Sequence, residues 1–600
     1  MLLCLKKNLQ KNTDLILPES VKMLIRLKNI RRRQWQRTRD PFTKQVYLEV
    51  KAEIASQIKE LRNMRWNLLL SEFDTGSKPF WKITKVIKGK NKLLPPLKHE
   101  NRMIITDREK ANALASAFKR TPTVHNEPVV ANMVSSSIIC LNEIAIPNDS
   151  IEYTRPAEVK SIIKSLKTSK SPGIDNINNM LLKNGSRNLV IILSYLFNAC
   201  FNLSYFPKAW KHALVVPVPK PNKDSTNPMN YRPISLLCSI SKIFERIILK
   251  RLQNHITNHS ILPNEQFGFR QSHSTNHQAK RLVNIIQDSL RNKHSSGVVL
   301  LDVEKAFDNV WHDGLIHKLF LLNTPVYILK LLKDYLSNRT FSVKIMGTTS
   351  ERISLLSGVP QGAVLSPTLF NIYISDIPTP PECSLLLYAD DSALITSSVY
   401  PNQIILNLEN GINILNAYFA KWKIKLNIEK TQISFFTRRR KSVYLPNRNL
   451  KIDYKSISWE DNIKYLGIIL DKTLTFNKHI IHSISKVNKL IQILYPFINR
   501  KSKLSLQNKL IIFKTIFRSV LTYGAPVWET CSDTHYRKLQ ITQNKLLKLI
   551  YDLPRYYSTR DLHSLDNIEL IKDYIIDICQ RFQDNAEFSE NPLIRRLVHV

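Results

Sequence analysis

Two adjacent carboxylates, Asp390 and Asp391, stand in the middle of the otherwise apolar run "SLLLYADDSALIT" (384–396). Burying an unpaired carboxylate is costly, so such a pair calls for a compensating cation. A third acid in a similar setting lies upstream. In "GVVLLDVEKAFDNVW" (297–311) the run Val298–Leu301 reads as a buried strand that ends at Asp302, with a helix-compatible stretch after it. An acid at the end of a buried strand can project into a cleft. Asp is also a favoured helix cap, and for Asp302 taken alone capping is an equal reading. Taken together, three acids around one point suit a hard divalent cation such as magnesium, which takes oxygen ligands and keeps part of its water.

A hairpin turning at "YADD" would carry Asp390 and Asp391 at its tip. Successive strand side chains point to opposite faces, so at most one of the two points straight at Asp302 and the other sits at the rim. Between the acids lies "SGVPQGAVLSPTLFNIYISDI" from Ser357, where Gly358, Pro360 and Gly362 build an irregular loop that lets backbone approach a ligand closely. Ser366 reads as an N-cap and Pro367 as the first helical residue of a helix to about Asp376. A helix start beside a cation is suited to a polyanionic substrate.

The elements that must position these residues are mixed. Helical patterns such as "PAEVKSIIKSLKTSK" alternate with β-branched runs such as "ALVVPVPK" and "GVVLLDV", which indicates an α+β or α/β core. Residues 1–150 read as a basic, helical extension. "RRRQWQRTRD" from Arg31 is a dense positive run around Trp35, and Tyr47, Val50, Ile54, Leu61, Met64 and Leu68 then mark one apolar helix face. A packed helix with a solvated basic side explains that pattern as well as direct nucleic-acid contact does. "TPTVHNEPVVANMVSSS" (121–137) has loop composition, which sets a boundary near 150. From about 481 the chain reads as mostly helical, with Leu539, Leu546, Leu547 and Ile550 on one face and Lys545 and Lys548 opposite.

Composition limits the partners. Lys and Arg number 88 against 48 Asp and Glu, a formal net charge of +40, which favours a polyanion. A membrane is disfavoured: the longest apolar stretch, "LVIILSYLFNACFNL" from Leu189, is broken by Ser194, Asn198 and Asn202 and reads as a core helix. "MLLCLKKNLQ" has too few apolar residues for a signal peptide, so an intracellular protein is expected. The seven cysteines form no C-x-x-C pair, which supports neither a disulfide framework nor a zinc knuckle.

In order, "NYRPISLL", "GFRQSHST", "LLDVEKAFDNVW", "GVPQGAVLSPTLFNIY", "LLLYADDSALI", "KLNIEKTQ" and "KYLGIILD" resemble the successive blocks of a reverse transcriptase, most narrowly that of jockey-like non-LTR retrotransposons. The core resemblance runs from about 155 to 480. "RRRQWQRTRDP", "SKPFWKITKVIKG" and "LTYGAPVWET" extend it over nearly the whole chain.

The resemblance implies an α+β right-hand polymerase fold: an extension over 1–150, fingers and palm over 151–480, and a helical thumb and C-terminal region over 481–600. It implies RNA-directed DNA synthesis from a DNA primer and deoxynucleoside triphosphates, with two Mg2+ ions, or Mn2+ in their place, held by the catalytic acids Asp302, Asp390 and Asp391. Asp302 and Asp390 would bridge the ions and Asp391 support one.

Substrate-binding roles are implied residue by residue. Arg232 matches a triphosphate-holding arginine, with Lys220 or Lys223 assisting or simply solvated. Phe307 matches a gate against the ribose 2′-hydroxyl, with ordinary packing as the competing reading. Gln361 matches a contact to nucleotide and template, and Lys430 a proton donor to pyrophosphate. Tyr465, Leu466 and Gly467 match a primer-gripping hairpin, whereas Asp308 reads as a structural or capping acid. Ile174 and Asn176 depart from the family's usual Pro and Gly.

The linker of such elements begins almost at Met1, so an endonuclease is expected to be absent and supplied in trans. Basic runs at Arg31 and Arg438 allow nuclear as well as cytoplasmic residence. Two competing readings are a catalytically silent RNA-binding fragment of such an element and an intron-encoded maturase.

Overall fold

The computed structural model describes residues 18–71, 94–99, 102–119, 128–146, 151–221, 223–439, 446–502 and 504–598. The opening "MLLCLKKNLQ" and "SKPFWKITKVIKG" lie outside the described residues. The fold is mixed α/β, with helical N- and C-terminal regions, and divides into two compact units.

One unit combines Met1–Leu93 with Thr475–Phe582. Its N-terminal part is a helical hairpin, Glu19–Thr38 and Pro41–Ser71, which pack on each other. The hairpin turns because Arg39 adopts a left-handed conformation (φ 55°) and the Asp40 carboxylate accepts the amides of Phe42 and Thr43, capping the second helix. The expected apolar face is present in part: Ile54 is buried and Met64 is exposed. Trp35 stacks on Tyr47 at 6.0 Å between centroids, with Arg39 and Lys44 over its ring, so the basic run lies along a helix with its aromatic residue already packed. Helix Leu506–Ile512 packs on Pro41–Ser71, and helices Asn477–Ile498 and Asp533–Tyr551 pack on each other, the latter burying Leu539, Leu546, Leu547 and Ile550 as its pattern predicts.

The other unit, Leu94–Leu474 with Gln583–Val600, holds two main sheets. Strands His212–Pro219 and Tyr231–Leu236 are antiparallel, and Arg339–Ile345 runs parallel to the first. The second sheet has four antiparallel strands in the order Gln432–Phe436, Ser295–Asp302, Asp391–Ser398, Ser384–Tyr388. Ser295–Asp302 is thus an inner strand, and helices Thr275–Arg291 and Pro401–Lys421 pack against it. That is why Val298, Val299 and Leu301 form a near-continuous buried run. At Gly297 a Cβ would lie 2.5 Å from Ile404, so the second helix can seat closely only over a glycine. The "LVIIL" run is the core helix Arg187–Asn202, and among the described residues no helix is long and apolar enough to cross a membrane.

The expected loop ahead of residue 150 is overturned. The stretch 121–137 is expected to be loop; 121–127 lie outside the described residues, and Pro128–Glu143 is a helix. Pro128 opens it, and Val130, Val134 and Leu141 are buried along one face. Serines and β-branched residues weaken the local helix signal, and packing against helix His312–Leu321 supplies what propensity does not.

Candidate active site

The acids meet because of strand register. Asp391 opens its strand directly opposite Asp302, the last residue of the neighbouring strand, and it also pairs with Tyr388 across the hairpin. Directly opposed residues share a face, so Asp302 and Asp391 emerge side by side, and Asp390 occupies the two-residue turn with Ala389. Like charges in that relation repel.

The electrostatics carry the mark of that crowding. Burial and the Asp390 and Asp302 carboxylates push the Asp391 carboxyl up to about 6. Asp390 is likewise raised, by burial and by Asp302, while Arg232 and Lys430 draw it partly back down.

Cations face the acids. Lys430 Nζ lies 2.8 Å from Asp302 Oδ2, delivered by the 3-10 turn Ile428–Lys430, whose preceding Asn427 amide donates to the Asp302 carbonyl at 2.8 Å. Asp302 therefore does not act as a helix cap. The turn that follows it, Ala306–Asp308, is preceded by Lys305 and has no side-chain cap. Lys220 has a lowered pKa, first through burial and then through Lys430, Arg232, Lys305 and Lys223, so five cationic side chains share one field. Lys220 Nζ also donates to the Met229 carbonyl at 3.0 Å. Lys305 was not singled out from the sequence. Its only local sign is its place beside Asp302, where it takes a left-handed conformation (φ 48°).

The loop from Ser357 docks between these elements. Gln361 Nε2 donates to Asp308 Oδ1 at 3.0 Å, and its carbonyl accepts the Ser235 amide at 2.9 Å, three residues along the strand from Arg232. Gly362 sits at φ 116° with Ser235 O only 2.8 Å from where a Cβ would be, a position open to glycine alone. The helix is Ser366–Tyr373, shorter than expected, and Ser366 is not its cap: the hydroxyl donates back to the Pro360 carbonyl at 2.8 Å. The backbone just ahead of the helix is instead held by Glu245, a fully buried carboxylate 119 residues away from Val364 in sequence, which accepts the Val364 amide at 2.6 Å and that of Leu365 at 3.4 Å. Burial raises the Glu245 pKa, and the Val364 amide opposes that shift most.

Phe307 packs on Phe370 (4.9 Å between centroids) and edge-on to Phe269 (6.1 Å). Tyr465 ends the first strand of the hairpin Asn462–Tyr465/Ile468–Asp471, which turns through Leu466 and Gly467, both at positive φ. Its hydroxyl is buried and has its pKa raised, first by burial and next by Asp391, which brings this hairpin to the acids.

The residues available to a divalent ion are an all-oxygen set, Asp302, Asp390 and Asp391. Among the described residues, no group of three or more His, Cys, Asp or Glu side chains is already arranged to hold a metal ion. Asp302 holds Lys430 instead. The donor type and the mutual repulsion of the acids fit a hard cation.

Comparisons with known proteins identify the family. A sequence model of the family described as "Reverse transcriptase (RNA-dependent DNA polymerase)" matches residues 218–470, which contain every site residue named above. The chain is 32% identical over 598 residues to a probable RNA-directed DNA polymerase from transposon BS of Drosophila melanogaster, covering 97% of this chain and 65% of that protein. It is 32% identical to the RNA-directed DNA polymerase from mobile element jockey of Drosophila funebris, covering 99% and 65%. To the probable RNA-directed DNA polymerase from transposon X-element of Drosophila melanogaster it is 30% identical, covering 97% and 64%. The chain thus spans just under two thirds of the length of these relatives. It belongs to the reverse transcriptases of jockey-like non-LTR retrotransposons.

Proposed function

We propose that the chain is an RNA-directed DNA polymerase that extends a DNA primer 3′-hydroxyl on an RNA template with deoxynucleoside triphosphates. The observation that carries this reading is the register that sets Asp391 against Asp302 at the "YADD" turn, with Arg232, Lys220, Lys223, Lys305 and Lys430 grouped nearby. Acids beside cations are what phosphoryl transfer from a triphosphate needs: one side for divalent ions, the other for the phosphates.

Asp302, Asp390 and Asp391 would hold the Mg2+ ions, for which Mn2+ can substitute. Such ions, when bound, activate the attacking hydroxyl and neutralise charge on the leaving pyrophosphate. The guanidinium of Arg232 is suited to clamp the triphosphate, and its forked donors match phosphate oxygens. Lys430 would hold a proton at its Nζ within reach of the departing pyrophosphate. Gln361, oriented by Asp308, would contact the nucleotide, and Phe307 would close the ribose side of its pocket. The hairpin of Tyr465, Leu466 and Gly467 would seat the primer end beside Asp391.

In this reading 151–480 is fingers and palm and 481–600 is thumb and C-terminal region of a right-hand polymerase, with the basic segment 1–150 as an extension along the nucleic acid. The net charge of +40 supports an RNA and DNA partner, and action in nucleus and cytoplasm follows from a retrotransposon role.

The test is primer extension by the purified protein on a primed RNA template with magnesium and deoxynucleotides, beside Asp390→Asn. Synthesis that is lost in the variant while RNA binding persists supports the reading; folded, RNA-binding protein without synthesis sinks it. The second reading, a catalytically silent RNA-binding fragment, is what that last outcome would leave, since the net charge of +40 supports RNA binding with or without synthesis.

A further inference from the structure

The turn that carries Asp390 is held in an unfavourable backbone conformation. Ala389 stands at φ 57°, a left-handed conformation that costs a residue with a Cβ roughly 1–2 kcal/mol. A turn of this kind persists only when its surroundings over-determine it.

The surroundings come from "NEQFGFR", whose Gln266 lies 123 residues upstream of Ala389. Gln266 is buried, and its Oε1 accepts two backbone amides at once, Ala389 at 2.9 Å and Gly268 at 2.8 Å. Its Nε2 has no hydrogen-bond partner among the described residues, so the glutamine is kept at the cost of an orphaned buried donor. Around it the backbone forms a short parallel ladder: the Phe267 amide donates to the Leu387 carbonyl at 2.9 Å, and the Leu387 amide to the Glu265 carbonyl at 3.1 Å. Gly268 lies so close beneath the turn that a Cβ would fall 2.2 Å from the Ala389 nitrogen. Asn371 fixes Gly268 from the other side, its Nδ2 donating to the Gly268 carbonyl at 2.8 Å.

We propose that Gln266 is a positioning residue for the polymerase site: its carboxamide oxygen, seated over Gly268, locks Ala389 in the left-handed conformation and thereby aims the Asp390 carboxylate. This rests on the polymerase reading for its consequence but not for its geometry. Gln266 reaches the acids only through the turn.

The experiment compares wild type with Gln266→Met, which keeps the shape and removes the acceptor, and with Ala389→Gly/Gln266→Met, in which glycine takes φ > 0 without a brace. Two quantities are read: amide hydrogen exchange at Ala389, and primer extension with its kcat and KM separated. The expected result for Gln266→Met is an Ala389 amide exchanging roughly tenfold faster or more and kcat reduced by about the same factor, with nucleotide KM and primer–template affinity unchanged. The double variant should recover kcat to within about threefold of wild type. Wild-type exchange and kcat in Gln266→Met, or a double variant no better than the single one, would overturn the proposal. If Gln266→Met does not fold, a folded and active double variant still supports it and an inactive one overturns it. Wild type without synthesis would remove the polymerase reading alone, and Ala389 exchange would then decide the brace by itself.

Discussion

Lys430 Nζ lies 2.8 Å from Asp302 Oδ2, so the acid at the end of the inner strand is ion-paired within the site. Both side chains keep solvent contact, 61% exposed for the lysine and 34% for the aspartate, so the pair contributes at most about 1 kcal/mol to stability. Its larger effect is on the field at the acids. Lys430→Met should bind Mn2+ or Mg2+ roughly three- to tenfold more tightly in the absence of nucleic acid, because a competing positive charge is gone. The same variant should incorporate nucleotides more slowly. Titration calorimetry on the apo protein checks the first expectation, and equal metal affinity in variant and wild type would separate Lys430 from the metal site.

Phe307 is pinned between Phe370 and Phe269, which makes its ring a rigid wall rather than a mobile one. Phe307→Val removes that wall at a packing cost of about 1–3 kcal/mol. If the ring excludes a ribose 2′-hydroxyl, ribonucleotide incorporation relative to deoxynucleotide should rise by about tenfold or more. Unchanged sugar discrimination with only a lowered unfolding temperature would return Phe307 to a packing role.

Acid should weaken the helical unit through His479. The ring is 2% exposed, its Nε2 faces the Tyr523 carbonyl at 3.4 Å, and burial pulls its pKa from 6.5 down to about 4. Between those values the unfolded chain takes up a proton that the folded one refuses, so stability falls as pH drops from about 6.5 to about 4, by on the order of 3 kcal/mol in full. His277, also lowered to about 4 by burial, adds a similar slope in the other unit. Urea unfolding across this range should show the loss. His479→Gln, which keeps a donor toward Tyr523 without a titrating ring, should flatten its share, and an unchanged slope would acquit His479.

What could be read from the sequence was what strand periodicity and local spacing encode. Val298–Asp302 and the "YADD" hairpin announce themselves, because a buried apolar run ending in an acid leaves few alternatives. The brace could not be read that way: Gln266 and Ala389 lie 123 residues apart, and nothing local to "EQFGF" says which turn it supports. Glu245 is similar, a charge within a helix whose role, holding the backbone ahead of Ser366, emerges only when the fold brings Val364 to it. Ser366 misled for the converse reason, since a serine before a proline is a good local cap, but its hydroxyl is taken by the Pro360 carbonyl. The helix Pro128–Glu143 was hidden because tertiary burial of Val130, Val134 and Leu141 outweighs weak intrinsic propensity.

The Asp308–Gln361 bond gives a test of how the "PQG" loop is aimed. Asp308 is held by its backbone independently of its carboxylate: its amide donates to the Lys305 carbonyl at 2.8 Å and its carbonyl accepts from Ser357 Oγ at 3.3 Å. Gln361 is likewise tied by its carbonyl to the Ser235 amide. Removing the carboxylate should therefore free the Gln361 side chain while leaving both backbones in place. A hydrogen bond to a charged group is worth about 1.5–3 kcal/mol, so Asp308→Leu should raise the nucleotide KM roughly tenfold or more with kcat less affected, and Asp308→Asn, which keeps an acceptor, should recover most of it. If KM stays put while the unfolding temperature falls, Asp308 supports the loop without orienting Gln361; if Asp308→Asn is as impaired as Asp308→Leu, the charge rather than the hydrogen bond is what the site uses.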